Sequence, residues 1–278
     1  MYAFRARPAT RVINGSRILG TLLLVAAFLF PVYWLVTLSF KTADQITTAT
    51  PQWFFSPTLG NYRDVLSSGF FTNLLNSLFV GVVSTVLALV VGCSIAYPIA
   101  RFRLRGSDSI MFWILSLWML PPVVIVVPLY ILYSNLGLLQ TYWSLILTYT
   151  LMNVPLIVWI MHSFFKQFPL ELEEAAQVDG ASALRIVLQI VLPLSAPGVV
   201  AAGLLSFIFA WNEFLFGNVL SGPGTQTGPP ALTRFSSSMT VQWGQVGAAG
   251  TLLLLVAFLL ALSVQRHLVR GLTLGAVK

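Results

Sequence analysis

Charge is scarce in this chain: Asp, Glu, Lys and Arg make up 8% of its 278 residues, where soluble domains carry roughly a quarter. Apolar residues make up 57% and the mean hydropathy is +0.87, which excludes an ordinary soluble domain and indicates an all-α polytopic membrane protein. The single cysteine, Cys93, sits in an apolar run, so the chain has no disulfide framework of its own and Cys93 reads as a small hydrophobe. Only three lysines are present, Lys41, Lys166 and Lys278, and none follows the glycines of a G-x-x-x-x-G-K-[S/T] loop, which excludes nucleotide binding of the P-loop kind. His162 and His267 have no carboxylate or cysteine at ligand spacing, and no HExxH, GxSxG or paired-carboxylate pattern occurs, so neither a metal nor an enzyme's nucleophile or base is nominated.

What is present is a series of apolar runs. They predict six spans, at about 18–40, 73–100, 109–135, 142–165, 193–219 and 246–264, with a cytoplasmic N-terminus over 1–17, a loop at 166–192 and a tail at 265–278. The first run is too long for the apolar core of a signal peptide, roughly 7–15 residues, and reads as a retained span. Pro121, Pro122 and Pro128 fall in the third run and Pro155 in the fourth, where kinks or breaks are expected. Residues 41–72 and 220–245 are rich in turn formers and read as loops on one side of the membrane.

The positive residues choose the side. Twelve of the Lys and Arg residues fall in the N-terminus, the Arg101-Phe102-Arg103-Leu104-Arg105 connection, the 166–192 loop and the tail, against three (Lys41, Arg63 and Arg234) in the opposite loops. The net charge of +7 is therefore a statement about topology and not about nucleic acid: the twelve mark the cytoplasmic side, with both termini and the 166–192 loop there.

That loop holds the one charged helical stretch. Glu171, Glu173 and Glu174 follow Pro169, which suits the first turn of a helix in both proline placement and dipole. Gly180 after Asp179 supplies a left-handed stop, and Ser182 caps a second helix over Ala183–Leu192 that is expected to end at Pro193. Leu172, Ala175, Ala176 and Asp179 share one face, narrow enough at the alanines for close approach of a partner.

Glu174-Ala175-Ala176, three residues, Gly180, nine residues, Ile190, one residue, Leu192-Pro193 closely resembles the EAA loop of ABC importer permeases. Further elements agree. Trp211-Asn212-Glu213-Phe214 is similar to the WNEF element of carbohydrate-uptake permeases, Asn61-Tyr62-Arg63 to their NYR-like element, and Gly271-Leu272-Thr273-Leu274-Gly275-Ala276-Val277-Lys278 to the tail of the second permease in maltose- and trehalose-type importers. The resemblance implies the type I ABC importer permease fold in a bacterial plasma membrane. It implies that Glu174, Ala175, Ala176, Asp179, Gly180, Ile190, Leu192 and Pro193 form the contact with a separate ATPase, and that Gly271, Leu272, Thr273, Gly275 and Ala276 form a second contact with it. ATP and Mg would be bound by that partner, present in two copies, and this chain would hold no cofactor. A second homologous permease, an extracytoplasmic solute-binding protein and membrane lipid complete the implied partners.

Glu213 is the one acidic residue inside a predicted span, where an ionisable group marks a functional or structural polar contact. Trp211, Asn212 and Glu213 are candidates for the substrate path or the permease interface, through an interhelical hydrogen bond or a direct sugar contact. Trp113, Trp118, Tyr130, Tyr133, Trp143, Tyr149 and Trp159 suit interfacial anchoring and, alternatively, stacking on sugar faces. Two other readings stay open: a permease of the same family for glycerol phosphate or a polyol, and an ATP-independent facilitator or secondary carrier.

Overall fold

The computed structural model describes the backbone over residues 8–102, 104–236 and 241–274, and side chains over 17–102, 104–236 and 241–262. The elements are α1 (Pro8–Ser39), α2 (Ala43–Ile46), α3 (Gly60–Ser67), α4 (Phe70–Arg101), α5 (Ser107–Trp118), α6 (Pro122–Asn135), α7 (Tyr142–Gln167), α8 (Glu171–Val178), α9 (Ala183–Ile186), a π-helical turn (Val187–Val191), α10 (Leu192–Leu194), α11 (Ala196–Asn212), α12 (Leu215–Leu220), α13 (Gly228–Ala231), a 3-10 turn (Leu232–Phe235) and α14 (Trp243–Leu274). Among the described residues, four stretches are long and apolar enough to cross a membrane by themselves: Arg17–Ser39, Phe70–Arg101, Tyr142–Gln167 and Trp243–Leu262. Two bent pairs, α5 with α6 at 86° and Ala183–Leu194 with α11 at 79°, bring the number to six when each pair is one span.

The chain divides into two compact units, Met1–Ser68 with Arg234–Leu252, and Gly69–Thr233 with Leu253–Lys278. In the first, the end of α1 and the residues just beyond it are tied down by side chains of α3. Asn61 Nδ2 donates to the carbonyls of Ser39 at 2.9 Å and Lys41 at 2.8 Å, and the Ser39 and Tyr62 hydroxyls are 2.8 Å apart. Lys41 is buried with its ammonium over the rings of Trp34, at 5.2 Å, and Phe55, at 4.9 Å, so ring faces replace part of the water the cation loses.

The second unit is built on α4 and α7. The buried face of α4 runs through Ser77, Gly81, Ser84, Ala88, Gly92 and Ala96, small residues three or four apart, as helix pairs in lipid require when packing rather than water drives them together. At the start of α4, Asn73 and Asn76 donate to the carbonyls of Gln226 and Gly224, and Ser77 Oγ accepts the Gly228 N–H at 2.8 Å. Those bonds satisfy backbone groups of the turn-rich stretch leading into α13, which has little secondary structure to do so.

The break between α5 and α6 follows from proline. Pro121 takes an extended ψ of 128° because the next residue is also proline, which disfavours the helical region before it, and the chain turns there between α5 and α6. Pro128 and Pro155 remain inside α6 and α7. Pro193 departs from expectation: the helical path does not stop there. The preceding π turn, in which the Leu192 N–H bonds the Val187 carbonyl five residues back, widens the helix where a proline offers no N–H and its ring would strike the carbonyl four back. The chain bends at Ser195 instead. The predicted 193–219 span is likewise interrupted, because α11 ends at Asn212 and Glu213 is extended, with φ −69° and ψ 122°. The helix expected to begin at Pro169 begins at Glu171, within the usual spread of helix ends.

Candidate functional site

The charged stretch forms a short helix with one fully buried side chain. Glu173 is the buried residue of α8. Its Oε1 lies 2.7 Å from Arg101 Nη2, at the end of α4, and its Oε2 accepts from the Tyr97 hydroxyl at 2.6 Å. Arg101 Nη1 also donates to the Phe168 carbonyl at 3.0 Å, just before α8. An ion pair removed from water in this way is costly to break from one side, about 3–5 kcal/mol. Beside its place in the first turn of the helix, Glu173 has two side-chain partners, Arg101 and Tyr97, that sequence reasoning missed. The signal for Arg101 was its place in the basic Arg101–Arg105 cluster, and Tyr97 had none.

The rest of α8 is open. Glu174, Ala175 and Asp179 are exposed, as are Leu172 at 47% and Val178 at 88%. Ala176 differs from its neighbours on the predicted shared face, because it is half-buried and packs against the buried cluster that contains Ile186 and Phe165. The bare apolar ridge is thus Leu172, Ala175 and Val178. Gly180 ends the helix with φ +82°, a left-handed conformation that L side chains enter at a cost, and the Ala181 N–H returns to the Ala176 carbonyl at 2.9 Å. Ser182 Oγ accepts the Arg185 N–H at 3.4 Å. Ile190 and Leu192 are half-buried and Pro193 exposed, whereas Ile186 and Val191 carry the deep contact of this segment with the α4/α7 core.

The second cluster lies where the two helix breaks approach the middle of α7. A cavity of about 170 Å³ is lined by Trp118 and Pro122 beside one break, Phe209, Glu213 and Phe216 beside the other, and Tyr149 and Asn153 of α7. Glu213 Oε1 accepts the Phe216 N–H at 3.0 Å, and Asn153 Nδ2 donates to the Tyr149 carbonyl at 2.8 Å. Trp118 meets Phe209 edge-on at 5.9 Å. A carboxylate, an amide and several rings around a small cleft form a surface that can hydrogen-bond hydroxyls and stack on an apolar ring face. The three residues nominated here separate: Trp211 is buried and stacked on Phe207 at 5.7 Å, Asn212 is exposed and bonds the Ile208 carbonyl at 2.8 Å, and only Glu213 lines the cavity. Among the other aromatic candidates Trp113, Tyr130, Trp143 and Trp159 are exposed and Tyr133 is buried. No group of three or more His, Cys, Asp or Glu that could hold a metal occurs among the described residues. The nominated tail contact, Gly271, Leu272, Thr273, Gly275 and Ala276, lies outside the residues whose side chains are described, as do Arg5, Arg7, Arg11 and Arg103.

Residues 88–274 match the family described as the binding-protein-dependent transport system inner membrane component. The chain belongs to this family. As an inner membrane component with several apolar helices it is a multi-pass membrane protein. The permease is 36% identical to the probable ABC transporter permease protein y4oR of Sinorhizobium fredii over 92% of both chains. It is 34% identical to the trehalose transport system permease protein SugB of Mycobacterium tuberculosis over 92% of this chain and 94% of that one. Its fold is that of a chain in a bacterial ABC transporter involved in the import of the acidic polysaccharide alginate, with a TM-score of 0.77, 20% identity and coverage of 95% of this chain and 99% of that chain.

Proposed function

We propose that this permease carries a carbohydrate across the bacterial plasma membrane as one half of an ATP-driven importer. The observation that carries this is the exposed ridge of α8, Leu172, Ala175 and Val178, on a helix anchored from behind by buried Glu173. An apolar strip at the tip of a membrane protein's polar loop is a partner surface. It fits a separate ATPase chain, which supplies the nucleotide site this chain lacks and binds ATP and Mg. Glu174, Ala175, Asp179 and Gly180 lie on or beside that surface, while Ala176, Ile190 and Leu192 are half-buried.

The distribution of Lys and Arg supports a cytoplasmic position for α8 and for both termini. A second, homologous permease completes the pathway, two ATPase copies dock below and an extracytoplasmic solute-binding protein delivers the sugar. The relatives named for trehalose and for trehalose/maltose transport support a sugar as solute, and the Glu213 cavity offers it a stop along the path. ATP binds the two conformations unequally and so shifts the permeases between inward- and outward-facing states.

The test is co-purification of the tagged chain from mild detergent. The wild type is expected to bring down a second permease and an ATPase, and a Glu174→Arg, Gly180→Pro variant to lose the ATPase alone. Wild-type preparations free of any ATPase, with the chain by itself moving solute in vesicles, would instead establish a facilitator.

A further inference from the structure

Two neighbouring carboxylates of α8 lie in different environments. Glu174 is exposed on the partner side, whereas Glu173 is turned back into the protein, 4% exposed. There it meets Arg101 on one oxygen and Tyr97 on the other, at 2.7 and 2.6 Å. The same guanidinium holds the Phe168 carbonyl at 3.0 Å, so a single side chain of α4 grips both the approach to α8 and its first turn. Tyr97, one turn earlier on α4, stands edge-on to Phe165 of α7 at 5.8 Å. Thus α4, α7 and α8 meet at one polar knot.

We propose that the Tyr97–Glu173–Arg101 knot is the rigid joint through which displacement of α8 reaches the α4/α7 pair, with Glu173 and Arg101 as positioning residues for coupled transport. This rests on the reading of α8 as the ATPase contact. The Tyr97–Glu173 and Arg101–Phe168 hydrogen bonds have fixed directions, and with the close Arg101–Glu173 ion pair they resist sliding in a way that an apolar contact does not. Glu173 is the one fully buried side chain of α8, so loss of the joint leaves the helix held by the small half-buried contact of Ala176 and by the non-helical residues 168–170 and 179–182, about which it would pivot. On α7 the load is shared at once, because α4 packs directly on it: a Cβ at Gly92 would lie 2.6 Å from Ile157 Cγ2. The broken helices α5/α6 and α11/α12 are the places where the remaining chain yields.

The experiment is amide hydrogen exchange on the complete importer complex, with and without ATP and vanadate to trap the nucleotide-bound state. In the wild type, trapping is expected to change exchange both in α8 and in the last turns of α4. In Glu173→Gln the change in α8 persists while that in α4 falls about tenfold; the charge exchange Arg101→Glu, Glu173→Arg restores most of it. A purely structural role would raise exchange in α4 in both states and leave the nucleotide-dependent difference intact. That result, or a Glu173→Gln complex with the wild-type difference in α4, overturns the proposal. If Glu173→Gln does not assemble, Tyr97→Phe decides, because it removes one bond and almost no volume: a difference in α4 reduced about threefold supports the joint and an unchanged one overturns it. A wild-type complex whose α8 does not respond to nucleotide at all refutes the ATPase reading of α8 and not the joint.

Discussion

Gly92 of α4 faces Ile157 of α7 so closely that a Cβ on the glycine would stand 2.6 Å from the isoleucine Cγ2 and 2.9 Å from its Cβ. Both residues belong to the same buried region of the second unit. A side chain at position 92 must push the helices apart. Gly92→Val is therefore expected to destabilise the permease by about 1–3 kcal/mol, seen as a lower thermal midpoint in detergent. Ile157→Ala placed on top should return part of that loss. A Gly92→Val protein as stable as the wild type would mean that α4 and α7 are not packed this tightly.

At Gly180 the constraint is backbone alone, since φ is +82° and nothing lies within 4 Å of a built Cβ. Gly180→Ala is expected to cost about 1–2 kcal/mol locally, and Gly180→Asn less, because asparagine enters the left-handed region more readily. With α8 as the docking helix, retention of the ATPase should fall by about 5–30-fold for alanine and by clearly less for asparagine. Equal losses for the two would show that side-chain space, not φ, is limiting.

Much of this fold was legible because lipid punishes exposed backbone: long apolar runs have little choice but helix. Thus Phe70–Arg101 and Tyr142–Gln167 coincide with runs visible in the sequence. The break at Pro121 and Pro122 and the left-handed Gly180 were legible for a comparable reason, as each has one local solution. What could not be read was anything depending on a distant partner. Glu173 looks like its neighbours Glu171 and Glu174 until Arg101, far away in sequence, is placed beside it. Pro193 looked like a stop because its cost was weighed against an α-helix; the π turn before it removes that cost. Glu213 looked like a mid-helix carboxylate, although no proline or glycine adjoins it, and its break depends on the Phe216 N–H that it accepts.

Lys41 offers a test in the first unit. Its ammonium stands over Trp34 and Phe55 at 5.2 and 4.9 Å in a nearly closed site. Lys41→Met keeps the stem and removes the charge, and should cost about 1–2 kcal/mol. Lys41→Arg, still able to lie over a ring, should cost less. Thermal unfolding in detergent checks the order, which would be reversed if Lys41 served only to fill space.

Glu213 gives the decisive measurement on the solute path. Its carboxylate caps the break before α12 by accepting the Phe216 N–H at 3.0 Å and lines the cavity with Trp118, Tyr149 and Asn153. Glutamine keeps an oxygen for the Phe216 N–H and a group able to bond a sugar hydroxyl, whereas alanine keeps neither. A hydrogen bond to a charged group contributes about 1.5–3 kcal/mol, so Glu213→Ala should raise the half-saturating sugar concentration for uptake by at least about tenfold and Glu213→Gln by much less. Uptake into vesicles by the complete importer, for the sugar that the wild type carries, reads this directly. The thermal midpoint of the same preparations separates loss of the cap from loss of the solute contact, because the cap acts on stability and the contact on the saturation curve. If alanine lowers only the thermal midpoint and leaves the saturation curve unchanged, Glu213 is a helix cap facing an empty cleft, and the sugar passes elsewhere.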